Sequence, residues 1–237
     1  MAKDKINLAI FDFDGTLSKG HLWMGIARHH RQKRIKRWAL LIYFLTHIPL
    51  WLASKVKLYS EEKNRAKWGE DLSVLFKNIF VEEGTKAFEW ITDNYMIPLI
   101  RSDVLGILKE HQKKQHKIMI LSGMFTDFLN VVAQRLGVDY VVGTGLERVG
   151  NKYSGRIVPP LCTGENKAKL LNKFIQTEHL NIDFSQSYAY ADSIFDVPVF
   201  QMVSNPVATY PDNELYNLAR ERRWKVIGHV NTTTNHL

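Results

Sequence analysis

Four short stretches of the 237-residue chain carry side chains that could do chemistry together. Phe11-Asp12-Phe13-Asp14-Gly15-Thr16 sets two carboxylates two residues apart at the end of an apolar run, and on a strand such residues point to the same side. Converging carboxylates are unfavourable unless a cation or hydrogen bonds compensate them. Asp-Gly turn chemistry accounts for Asp14 and leaves Asp12 unexplained. Ser122-Gly123 offers a hydroxyl and backbone N–H groups near a helix start, which suits an anion, although Ser122 could equally cap that helix. Lys167, in Gly164-Glu165-Asn166-Lys167, falls in the first turn of a helix and opposes its dipole unless an anion is close. A solvated lysine, or Lys169 in its place, fits the same pattern. Ala191-Asp192-Ser193-Ile194-Phe195-Asp196 ends another apolar strand. It reads as two more carboxylates for a cation, or as an N-cap and first-turn acid of the next helix.

The elements that would position these residues alternate along the chain. Apolar runs predict strands over 6–13, 117–121, 140–143 and 187–191, with weaker ones over 206–209 and 224–227. Helical periodicity covers 103–114, 125–136, 166–177, 196–202 and 213–222. Such alternation predicts an α/β fold with a doubly wound, Rossmann-like parallel sheet. Residues 146–158, with Gly150-Asn151 at their middle, read as a β-hairpin. The stretch 18–99 breaks the alternation, holds no convincing strand and includes a helix start at Ser60-Glu61-Glu62-Lys63. The expected division is an α/β core of 1–17 and 100–237 and a helical cap of 18–99. All four chemical stretches then fall at the carboxyl edge of the sheet, where open α/β folds bind ligands.

As a set, these motifs resemble the haloacid dehalogenase superfamily of phosphatases, and within it the phosphoserine-phosphatase-like branch with a helical cap after the first motif. The likeness runs over nearly the whole chain, including the hairpin before the lysine and Asn205-Pro206-Val207-Ala208-Thr209 near the end. It implies an Mg²⁺-dependent phosphomonoester hydrolase working through an aspartyl-phosphate. Asp12 would be the nucleophile and Asp14 the general acid/base, while Ser122, Gly123 and Lys167 hold the phosphoryl group. Asp12, the Asp14 carbonyl and Asp192 would ligate the metal, with Asp196 in support. Two positions depart from the branch: Ala191 stands where a glycine is usual before the aspartate. His21 stands where phosphoserine phosphatases carry a glutamate for the substrate amine, which argues against phosphoserine itself.

Composition sets the remaining bounds. Hydrophobic residues make up 45% of the chain, enough for a sizeable core. The one cysteine, Cys162, rules out an internal disulfide framework, fits a reducing compartment and has no base beside it. Met1 to Lys5 leads straight into a strand, so no signal peptide and a cytoplasmic location are expected, and the sequon at Asn231 is read as chance. No phosphate-binding Gly-x4-Gly-Lys loop, dinucleotide fingerprint or His-Glu-x-x-His is present.

The net charge of +8 is local. Residues 19–59 carry nine Lys/Arg and no acid, which leaves 23 basic and 24 acidic residues elsewhere. Six of the nine lie between Arg28 and Arg37, and residues 38–53 follow without a charge. That tract is shorter than the roughly 20 residues of a membrane span and contains Pro49. One reading is a buried cap core with a solvated basic face. The other is an interfacial element on anionic membrane, with a phospholipid phosphate as substrate in place of a small soluble phosphate ester. A nucleic-acid-binding module would interleave its charges with aromatics, and the uncharged tract speaks against one.

Overall fold

In the computed structural model, which describes residues 5–55 and 60–228, the apolar runs become a seven-stranded sheet. The strands are β1 (Leu8–Phe11), β2 (Lys117–Phe125), β3 (Tyr140–Val149), β4 (Lys152–Val158), β5 (Tyr188–Ala191), β6 (Asn205–Thr209) and β7 (Lys225–Ile227). Their order is β4-β3-β2-β1-β5-β6-β7, and every pair is parallel except the β3–β4 hairpin. Chain direction across the sheet reverses at β1, which pairs with β2 on one side and β5 on the other. A crevice at that switch point is where such sheets bind ligands. The sequon at Asn231 lies outside the described residues.

All four residues of β1 are buried because both faces of the sheet are covered. Leu8 and Ile10 pack with Met119, Leu121, Leu171 and Phe200 on one face. Ala9 and Phe11 pack with Ile118, Ile120, Leu108 and Phe128 on the other. The helices α5 (Ser102–Lys113) and α6 (Thr126–Leu136) cover the second face, while α7 (Glu165–Thr177), α8 (Val197–Phe200) and α9 (Asn213–Arg222) cover the first.

Between β1 and α5 the structure is helical: α1 (Leu22–Lys33), α2 (Arg37–Lys55), α3 (Glu61–Asp71), α4 (Val81–Ile91) and short turns. Their apolar residues join the sheet's own cluster. Phe88 of α4 lies 4.7 Å from Phe76 and 6.1 Å from Phe128 of α6, ring centre to centre. The inserted helices and the second face of the sheet therefore share one core.

Three expectations need correction. β1 stops at Phe11, so Asp12 and Asp14 lie in the turn beyond it rather than on the strand. β2 does not end at Leu121 but continues through Ser122 and Gly123 to Phe125, with a register shift against β3 that absorbs the change of direction. The uncharged tract is not a buried cap core. It forms one helix that continues through Pro49, and Leu40, Tyr43 and His47 turn inward while Trp38, Leu41, Ile42, Leu45, Ile48, Trp51 and Leu52 remain exposed. Among the described residues no helix is long and apolar enough to cross a membrane.

Candidate active site

The last ladder bond of β1 is made by its successor, Asp12, whose N–H donates to the Tyr190 carbonyl at 2.9 Å. That contact fixes Asp12 at the strand end, where it is buried. The chain then turns sharply, with Gly15 at φ +84° and its N–H bonded to the Ser18 carbonyl at 2.9 Å. A side chain at Gly15 would collide with the Asp192 carboxylate, so the turn passes directly against the end of β5. Thr16 Oγ1 completes the join by donating to Asp192 Oδ1 at 3.1 Å.

Lys167 reaches this point from the first turn of α7. Its buried ammonium donates to Asp12 Oδ1 at 2.8 Å and also to Asp196 Oδ1. Burial works against the lysine's charge, but Asp12 and Asp196 outweigh it and hold the group protonated, its pKa raised. Carboxylate oxygens of Asp12, Asp192 and Asp196 lie within 4.8 Å of one another. Burial first, and then the charges of Asp12 and Asp196, push the Asp192 carboxyl well above the usual range.

The family follows from this arrangement together with the match of residues 9–201 to the model of the haloacid dehalogenase-like hydrolases. The chain belongs to that family. This haloacid dehalogenase-like hydrolase is an enzyme of the phosphatase type by its relatives. It is 28% identical to a phosphoserine phosphatase of Mycobacterium tuberculosis, over 92% of this chain and 69% of that protein. It is 26% identical to a histidinol-phosphatase of Neisseria meningitidis, over 93% of this chain and 98% of the other. A Bordetella pertussis protein of unknown function shares the fold with a TM-score of 0.80 at 21% identity, over 95% of this chain and 99% of that one.

The hydrolase's donor set suits a hard divalent cation. Three carboxylates gather around one ammonium, and the ligand atoms they offer are all oxygens. Asp196 shares this cluster and is tied to Lys167. The Asp14 carboxylate stands apart: it is half-buried, and Oδ1 lies 2.7 Å from Nδ1 of His21.

Ser122 and Gly123 lie at the end of β2, beside β1, where Ile120 is registered with Phe11. Ser122 is buried and does not cap α6, whose N-cap is Phe125. The segment is held by Thr144, which donates to the Gly123 carbonyl at 2.8 Å and accepts from the Cys162 N–H at 3.1 Å. Thr144 thus ties the β2 end to the loop that leads into α7. The Cys162 thiol, pushed up to about 12 by burial, is a packing group.

Ser193 and Asp196 occupy N-cap positions, as the capping alternative had it, but neither side chain makes the cap bond. Asp212 does that work, accepting from Ile194 N at 3.0 Å and from Leu215 N at 2.7 Å, and so holds the Asp192–Asp196 turn to the start of α9. The Asp212-Asn213-Glu214 run before α9 carried a readable capping signal. Thr144 had none, and the partners of His21 and Thr16 could not be named, because they are reached only through the tertiary fold.

Proposed function

We propose that the protein hydrolyses phosphate monoesters through a covalent phosphoryl group on Asp12, with residues 1–17 and 100–237 as catalytic core and 18–99 as cap. The observation that carries this reading is the buried Lys167 ammonium shared between Asp12 and Asp196 beside Asp192. A carboxylate so held is aimed and only partly neutralised, which suits a nucleophile waiting for a second cation. Mg²⁺ would be held by Asp12, Asp192 and the Asp14 carbonyl with Asp196 in support, and its charge would let an anionic nucleophile approach a phosphate dianion.

Asp12 attacks phosphorus; the new O–P bond forms as the bond to the alcohol oxygen breaks. Asp14 gives its proton to the leaving alkoxide and later takes one from the water that attacks the aspartyl-phosphate, releasing phosphate and the Asp12 carboxylate. His21, in hydrogen-bond contact with Asp14, orients that carboxyl. Ser122, the Gly123 N–H and Lys167 receive the phosphoryl oxygens. The proposed location is cytoplasmic.

The leaving group has a second reading, an amphiphilic one such as a phospholipid phosphate rather than a small soluble metabolite. It is favoured by a groove of about 900 Å³ between α1 and α2, where Trp23, Leu40 and Phe44 sit beside Arg28, Arg31 and Arg37. The His21 ring stacks over Trp23 at 6.4 Å, linking Asp14 to this groove. Purified protein should turn over an aryl phosphate with Mg²⁺, lose that activity to a chelator and lack it as Asp12→Asn. Activity near the wild-type level in the Asn variant would remove Asp12 as nucleophile.

A further inference from the structure

The face of α2 turned away from the protein is apolar. Trp38 is 77% exposed, Leu45 65% and Ile42 60%, and Leu41, Ile48 and Leu52 continue the same stripe. Their spacing of three and four residues places them on one side of the helix. Contiguous apolar surface of this kind marks an interaction site on an otherwise well-packed chain.

The turn before α2 frames that stripe with positive charge. Arg31, Lys33, Arg34 and Arg37 are all exposed. The turn is a built feature: Arg34 and Lys36 both take left-handed backbone angles, φ 57° and 52°, and the Lys36 ammonium donates to the Lys77 carbonyl. The arginines of the α1–α2 groove continue the basic surface. Phe44 of that groove lies three residues from Leu41 and four from Ile48 on the exposed stripe, so groove and stripe share an edge.

We propose that this face of α2, with the basic turn before it, docks on an anionic lipid bilayer. Charge complementarity selects that occupant. Residues 19–59 contain no acid at all, so a second copy of the same face would bring apolar surface but no counter-charge. A bilayer rich in phosphatidylglycerol supplies both, with hydrocarbon for the tryptophans and aliphatics and anionic headgroups for the arginines and lysines. The helix lies in the interface and does not span it, and the groove beside it opens at the lipid surface. Docking is independent of the chemistry at Asp12.

Co-sedimentation with vesicles tests the proposal, using the full chain and its Asp12→Asn variant, which should bind alike. Binding to phosphatidylglycerol vesicles at low salt is expected, with about tenfold weaker binding to pure phosphatidylcholine vesicles or in high salt. The variant Trp38→Gln/Leu45→Gln should lose vesicle binding while turning over a soluble aryl phosphate at the wild-type rate, and Lys33→Gln/Arg34→Gln should weaken binding about as much as salt does. No sedimentation with anionic vesicles at low salt would overturn the proposal. So would an assembly in solution, with itself or with an acidic protein, that the Trp38→Gln/Leu45→Gln variant dissolves while vesicle binding stays unchanged.

Discussion

The Lys167 ammonium lies 2.8 Å from the Asp12 carboxylate across 155 residues of chain, and the same nitrogen holds Asp196. Lys169, two residues on, is exposed. Lys167→Ala should lower kcat/KM by about two to three orders of magnitude. It should also destabilise the fold by about 3 kcal/mol, because it removes the cation that two buried carboxylates share. Lys169→Ala should leave both nearly unchanged. Steady-state kinetics and thermal melts of the two variants check this, and the reverse pattern would assign the phosphoryl contact to Lys169.

Gly15 is required twice, by its φ of +84° and by the Asp192 carboxylate that a Cβ would strike. Gly15→Ala should force the turn and Asp192 apart at a stability cost of about 1–3 kcal/mol. Activity should fall about a hundredfold, and the rise in Tm on adding Mg²⁺ should shrink. An alanine variant with the full Mg²⁺-dependent rise would show that the turn relaxes without disturbing the carboxylates.

Thr144 serves two backbone groups at once, the part-buried Gly123 carbonyl and the buried Cys162 N–H. Thr144→Val keeps the shape and removes both bonds, so a loss of about 1–3 kcal/mol is expected. Loosening Ser122-Gly123 should raise KM for an aryl phosphate, and Thr144→Ser should restore it. Equal KM values for Val and wild type would confine Thr144 to a structural part.

Two buried imidazoles set a pH limit on stability. His30 is held by the Leu75 carbonyl at 3.1 Å and His111 by the Tyr190 hydroxyl at 2.7 Å. Burial chiefly, with like charges near His30 at His29 and Lys36 and near His111 at His116 and Lys114, lowers each to about 4. The unfolded chain binds these protons near the ordinary value of 6.5, the folded one only near 4. Stability is therefore full above pH 6.5 and declines as pH falls toward 4, by an amount on the order of 3 kcal/mol per group. Melts between pH 7 and 4.5 read the decline. An NMR titration should find two imidazoles still neutral at about pH 5, and titration of both near 6.5 would refute this.

Local pattern carried much of the fold. Buried strands announce themselves as unbroken apolar runs, and β1, β5 and the hairpin of β3 and β4 lie close to where those runs placed them. The acids were legible as motifs because their types are improbable at apolar strand ends, and Lys167 because a lysine in a first helical turn opposes the dipole. What local pattern could not say was which way a side chain turns once its strand stops. Asp12 and Asp14, two residues apart, part company because β1 ends at Phe11: one meets Lys167, the other His21. The continuation of β2 past Ser122 depends on β3 and on Thr144, neither of them local to it. The uncharged tract of α2 is apolar on nearly every side, and periodicity alone assigns such a helix to a core. Only the packed structure shows that Leu40, Tyr43 and His47 take the inward positions, leaving Trp38, Leu41, Ile42 and Leu45 outside. A helix can bury only the side its neighbours cover, and the neighbours are set by the whole fold.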